Sequence, residues 1–180
     1  MIGLADRRLR RKTAMDVSLL SDRYLVRELG ASDVAKVYEL CRGNRLYYRY
    51  CPPFVSERSI LDDMNALPPN KERSDKYYAG FFDGDKLIAV MDLILAYPDA
   101  STAFIGFFMT DASVQNSGVG SRIINGLCAA LSRAGVASLR LGWAKGNPQA
   151  EHFWHKNGFR ETGVAYDADR YTVIVAQRRL

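Results

Sequence analysis

Gln115-Asn116-Ser117-Gly118-Val119-Gly120-Ser121 is the stretch on which the reading of this chain turns. Ahead of it lies the apolar run Ala103-Phe104-Ile105-Gly106-Phe107-Phe108-Met109, which reads as a strand. Behind it, residues 121 to 135 carry Ile123, Ile124, Leu127, Cys128 and Leu131 on one helical face, and Gly135 stands where a left-handed residue would end the helix. The unit is strand, glycine turn, helix. Such a turn leaves backbone N–H groups without partners at a helix N-terminus, where the macrodipole adds roughly half a positive charge. Anions bind there, and Gly118 and Gly120 lack the side chains that would hold a diphosphate away. Two glycines and a serine also make an ordinary helix start, so the heptad alone leaves both readings open. A dinucleotide fingerprint would need glycine at Ile123 and an acid about twenty residues on, where Arg140 stands. A triphosphate loop would need Gly-Lys-Ser/Thr, and Gly120-Ser121-Arg122 is not that.

At 180 residues, 48% of them hydrophobic, the chain can bury one substantial core, so one domain is expected. No run approaches the roughly 18 apolar residues of a membrane span, and no secretory apolar core is present, which sets the expectation of a cytoplasmic protein. Cys41, Cys51 and Cys128 are far apart without metal-ligand spacing and suit free thiols, and with two histidines no metal site is expected. Of the net charge of +5, four units sit in residues 1 to 14, where Arg7, Arg8, Arg10, Arg11 and Lys12 face only Asp6. The body is nearly neutral, so basicity is no argument for nucleic-acid binding by the fold. Residues 1–22 read as a basic extension, a tail or an added helix, or as sequence upstream of a start at Met15.

Residues 24 to 29 predict a first strand, and Ser32 caps a helix with Val34, Val37, Tyr38 and Cys41 on one face, ended by Gly43. Tyr47, Tyr48 and Tyr50 follow in a segment that Pro52-Pro53 is expected to keep from being helical. A second helix has Ser56 as N-cap and Val55 with Ile60 as a hydrophobic staple, and Pro68-Pro69 stop it. Asp83-Gly84-Asp85 marks a hairpin between strands at 77–82 and 86–96. Residues 138 to 143 predict a short strand. Asn147 as N-cap, Pro148 and Gly158 then bound a helix whose core face is Ala150, Phe153 and Trp154. Two last strands flank Asp167-Ala168-Asp169.

The heptad, as Gln115-x-x-Gly118-x-Gly120, resembles the pyrophosphate loop of the GNAT superfamily of acyl-CoA-dependent N-acetyltransferases. Residues 147 to 159 resemble that family's second motif, Asn-x-x-Ala-x-x-Phe/Leu-Tyr-x-x-x-Gly-Phe. Together with the order β-α-α-β-β-β-α-β-α-β-β, the resemblance covers residues 24 to 176. It implies an α/β (α+β) domain over residues 23–180, with a mixed central sheet of about seven strands and helices on both faces. The implied activity is acetyl transfer from acetyl-CoA to a primary amine of a small molecule or peptide. It brings no metal and no membrane partner, and allows a homodimer. In the family the fourth and fifth strands splay around the pantetheine arm. That places backbone of Phe108, Met109 and Thr110 against pantetheine, residues Gln115, Asn116, Ser117, Gly118, Val119, Gly120 and Ser121 on the diphosphate, and Asn147 near the arm, where it can equally serve as helix cap.

A lysine-like amine has a pKa near 10.4, so only about one in 10³ is free base at neutral pH and a proton must be removed. Many members use a carboxylate on the central strands. From Leu87 to Ala96 every residue but Asp92 is apolar, and an isolated carboxylate there costs several kcal/mol unless it is paired or faces a polar cleft. Asp92 is thus either a base facing the acceptor or a structural partner of an arginine or neighbouring backbone. Where many members carry a tyrosine that protonates the leaving thiolate, this chain has Trp154, whose indole is too weak an acid. His152 and His155 beside it read as solvated helix residues. Tyr47, Tyr48 and Tyr50 lie where the family's acceptor binds, and either hold an amine or pack over the core edge. Two other functions compete: a non-catalytic acyl-CoA-binding module, which Trp154 favours, and a nucleic-acid-directed acetyltransferase using the basic head.

Overall fold

The apolar runs assemble into one sheet. A computed structural model describes residues 15–180, so the basic head, and the expectation that removing residues 1 to 14 leaves fold and cofactor binding intact, lie outside the described residues. The strands are β1 (Leu25–Glu28), β2 (Lys76–Asp83), β3 (Lys86–Ile94), β4 (Thr102–Thr110), β5 (Ser138–Ala144), β6 (Arg160–Ala168) and β7 (Tyr171–Arg179). They lie in the order β1-β2-β3-β4-β5-β7-β6, all neighbours antiparallel except β4 and β5. Helices α1 (Val34–Arg42), α2 (Arg45–Tyr50) and α3 (Glu57–Asn65) accompany one face, and α4 (Val119–Arg133) and α5 (Pro148–Lys156) the other. Each face has its own core. One gathers Ile123, Ile124, Leu127 and Leu131 of α4 with Ala103, Ile105, Leu139 and Leu141, and the other gathers Val37, Leu40, Ile60 and Met64 with Tyr78, Val90 and Met109.

Local signals explain most boundaries. The Ser56 side chain accepts from Ser59 N–H at 3.1 Å to open α3, beneath which Val55 and Ile60 are both buried. At the far end of α4, Gly135 takes φ +82°, Gly135 N–H donates to Ser132 and Val136 N–H to Leu131, each at 3.0 Å. That is the pair of bonds expected of a glycine-terminated helix.

One expectation is corrected. Residues 45 to 50 are helical, adding α2 to the expected order. A proline restricts the residue just before it, here Cys51, which caps α2 at φ −122°, ψ +65° and leaves the six preceding residues free to coil. The described part of the extension, residues 15 to 22, packs on the domain. Val17 and Leu20 form a short 3₁₀ turn buried in the α4-side core, and Met15 N–H reaches the Tyr77 hydroxyl at 2.9 Å. Gly126, in the middle of α4, makes this possible: a Cβ there would lie 3.0 Å from the Leu20 carbonyl oxygen. A mid-helix glycine costs about 1 kcal/mol relative to alanine, and here it admits a crossing backbone.

The sheet is interrupted in two places that matter for the site. Strands β4 and β5 pair only from Thr102↔Ser138 to Ile105↔Leu141 and then part. On its other edge β4 carries a bulge, since Leu93 pairs with Ile105 and Asp92 with Phe107, leaving Gly106 as the extra residue.

Candidate active site

Beyond Ile105 and Leu141 the parted strands open a cleft of about 450 Å³ that runs from the start of α4 to Tyr47 and Tyr171. At the α4 end, Asn116 (φ +58°) and Gly118 (φ +84°) take left-handed conformations that turn the chain into the helix. Arg122 N–H makes the first helical bond, 3.0 Å to the Gly118 carbonyl, so the N–H groups of Val119, Gly120 and Ser121 precede the helical ladder. No side chain would crowd a Cβ at Gly118, whereas one at Gly120 would lie 3.0 Å from the Phe153 ring. The space over Gly118 is therefore open, and the bare Gly120 makes room for Phe153. That ring stacks on Phe108 of β4, centroids 6.1 Å apart.

The expected coenzyme residues gather along this cleft. Phe108, Met109, Thr110, Gln115, Asn116, Gly118, Gly120, Ser121 and Asn147 line it, while Ser117 and Val119 do not. The Gln115 side chain is engaged inward, donating from Nε2 to Asn44 Oδ1. Asn44, buried at the end of α1, also donates to the carbonyls of Leu40 (3.0 Å) and Thr110 (3.2 Å), and so fixes the loop to the end of β4. Asn147 is buried and its Oδ1 accepts from Ala150 N–H at 3.2 Å, capping α5 while lining the cleft. Replacing it with alanine is expected to cost about 1 kcal/mol, read as a drop of roughly 2–4 °C in melting temperature. An unchanged melt would remove the capping role.

At the other end the structure brings in Tyr47 but not its neighbours. Tyr47 packs edge-on against Phe107 (5.7 Å) and lines the cleft; Tyr48 turns to Phe54 and the α1 side, and Tyr50 is half-buried outside the lining. The Cys51 thiol sits among Tyr47, Tyr171 and the Ala144 backbone, and burial pushes Cys51, Tyr47 and Tyr171 all above their usual pKa values. All three are protonated near neutral pH. The sequence reading missed Asn44, Cys51, Tyr166 and Tyr171 as site residues. The tyrosines flank the Asp167-Ala168-Asp169 turn, so their placement at a hairpin tip was the available signal.

Asp92 is 7% exposed and does not itself line the cleft. Its Oδ2 accepts from Lys76 Nζ at 2.8 Å, a lysine whose side chain is 1% exposed, and its Oδ1 is buried without a hydrogen-bond partner among the described residues. Burial pushes the carboxyl above the usual range against the pull of Lys76. Only Gly106 separates it from the cleft: a Cβ on that exposed, cleft-lining glycine would lie 2.6 Å from Asp92 Oδ2. Trp154 is buried against Phe108, Phe153 and Phe159. His152 is exposed at the cleft edge, and His155 lies edge-on to Trp143. Among the described residues no cluster of three or more His, Cys, Asp or Glu could hold a metal, and no helix is long and apolar enough to cross a membrane.

Comparison with known proteins bears on this geometry. No curated protein matches the chain by sequence. Among solved structures, an acetyltransferase from Thermus thermophilus superposes with a TM-score of 0.70 at 18% identity, covering 90% of this chain and 99% of the other. The PaiA N-acetyltransferase of Thermoplasma acidophilum, solved in complex with coenzyme A, gives 0.63 at 17% identity, covering 87% and 99%. The ribosomal-protein-S18-alanine N-acetyltransferase of Escherichia coli gives 0.63 at 17%, covering 87% and 93%. At such identities the likeness is one of fold. Membership follows from the sequence itself, because residues 38–159, which contain the parted strands, the α4 turn and α5, match the acetyltransferase (GNAT) family, and the chain is an acyltransferase belonging to it.

Proposed function

We propose that the chain transfers the acetyl group of acetyl-CoA to a primary amine of a small molecule or peptide. The observation that carries this reading is the gap between β4 and β5 leading to the glycine turn of α4. In it the unpaired edge of β4 at Phe108, Met109 and Thr110 binds the pantetheine amides as a further strand would. The N–H groups at the start of α4 meet the diphosphate, and Asn147 borders the arm. The amine nitrogen attacks the thioester carbon, the C–S bond breaks, and coenzyme A leaves as a thiolate. A thiol pKa near 8.5 lets that happen without an acid, which suits a chain with Trp154 at the phenol position. The nitrogen's proton passes to Asp92, directly or through water over Gly106. The unpartnered Oδ1 and the raised pKa of this carboxyl support that role.

Release of free thiol from acetyl-CoA, measured with and without a panel of amines, tests the proposal. Amine-dependent release is expected. Calorimetric binding of coenzyme A with no thiol release for any amine would favour the acyl-CoA-binding module, the reading that Trp154 supports.

A further inference from the structure

We infer that the acceptor is a monoamine carried on an aromatic or apolar group, rather than a polyamine or a lysine-rich tail; this rests on the acetyl-transfer reading above. Among the described residues no aspartate or glutamate lines the cleft, and the cationic or titratable nitrogen side chains that do, His152 and Lys156, both lie on α5, the helix packed beside Gly120. The wall away from α4 is aromatic. It includes Tyr47, Phe104, Phe107, Tyr166 and Tyr171, with the Cys51 thiol between two of the phenols. Tyr166 is 50% exposed, and Gly106 leaves the floor beside Phe107 bare of a side chain. Open aromatic surface at the mouth of a cleft is area that a ligand's own apolar group can cover.

The charges behind this wall are already matched. Asp92, behind Gly106, is bonded to Lys76 and also feels Arg73. Asp63 on α3 stands next to the same lysine, whose Nζ donates to the Asp63 backbone carbonyl at 2.8 Å. These two carboxylates and two cations leave no net negative charge behind the wall, and at the exposed turn between Tyr166 and Tyr171 Asp169 pairs with Arg170 while Asp167 accepts from the Thr172 hydroxyl. A single ammonium can be met by phenol oxygens and ring faces. A second or third would lose hydration with no counter-charge to offset it.

The test is a comparison of kcat/KM for thiol release by the full chain at saturating acetyl-CoA, with phenethylamine and tyramine against spermidine and a lysine-rich peptide. The arylalkylamines are expected to exceed spermidine by about 10–100-fold. Tyr166→Glu, a change at an exposed rim position, should narrow that ratio by raising spermidine turnover, and Tyr171→Ala should lower arylalkylamine turnover with coenzyme A affinity unchanged. Equal rates, or a preference for spermidine or the peptide, would overturn the inference while acetyl transfer stands. No thiol release with any amine, despite coenzyme A binding, would overturn both.

Discussion

Lys76→Met should cost the fold about 3–5 kcal/mol, because it leaves Asp92 as a buried carboxylate with neither oxygen bonded. That is a large share of the roughly 5–15 kcal/mol that holds a domain together. Asp92→Asn alone should also destabilise, since it leaves an ammonium whose side chain is 1% exposed with only the Asp63 carbonyl bonded to it and the Asp63 charge nearby. The pair Lys76→Met with Asp92→Asn removes both charges and should recover most of the loss. Chemical denaturation of the three variants checks this, and a Lys76→Met protein as stable as the parent would show that the pair carries no such weight. The double variant then separates structure from chemistry. If Asp92 takes the amine's proton, that variant is folded, binds coenzyme A and turns over slowly; parental kcat/KM at every pH would exclude the base.

The pH dependences of stability and activity oppose each other here. Because the folded carboxyl of Asp92 titrates above its unfolded value, its contribution to stability is greatest below the unfolded pKa and is lost as pH rises through the folded one. A base works only when deprotonated, so kcat/KM rises through that same window. The residue is least comfortable where it is most useful.

Gly120→Val should lower coenzyme A affinity by about 10–100-fold, the scale of losing one hydrogen bond to a charged phosphate. The added Cβ starts 3.0 Å from Phe153 and 3.6 Å from Thr110 Cγ2, so it presses on the ring stacked against Phe108 as well as narrowing access to the N–H groups. Calorimetry on the folded variant is the measurement, and unchanged affinity would remove the diphosphate from this turn. The sequence reading offered phosphate access or an ordinary helix start as the reason for this glycine, and neither involves Phe153. The aromatic neighbour lies thirty-three positions away on another helix, and no local pattern announces it.

That contrast runs through the whole molecule. Caps and turns are local, so Ser56, Asn147, Gly135 and the Gly84 hairpin were legible from neighbouring residues, and with them the seven strands and their helices. Pro52-Pro53 misled because their influence reaches back only to Cys51. The packing of residues 15 to 22 was not legible because a four-residue turn with two buried side chains gives no period, and its place depends on a glycine in α4. The aromatic wall of the cleft joins α2, β4 and the β6–β7 hairpin, which only the sheet order brings together. Lys76 was invisible as the partner of Asp92, since the two meet across strands with sixteen positions between them.

Strand β4 carries one residue more than its packing uses. Ala103 and Ile105 serve the α4-side core, Phe107 and Met109 the opposite one, and Phe108 the α4 side again. Counted without Gly106, that is plain alternation along an unbroken strand, so neither core asks for the extra position. What asks for it is the interior of the cleft, where it supplies bare backbone and the space filled by a carboxylate from the next strand. Part of what shapes the cleft in this chain is thus written as a length rather than as a side chain, one residue inserted where the packing of neither core uses it.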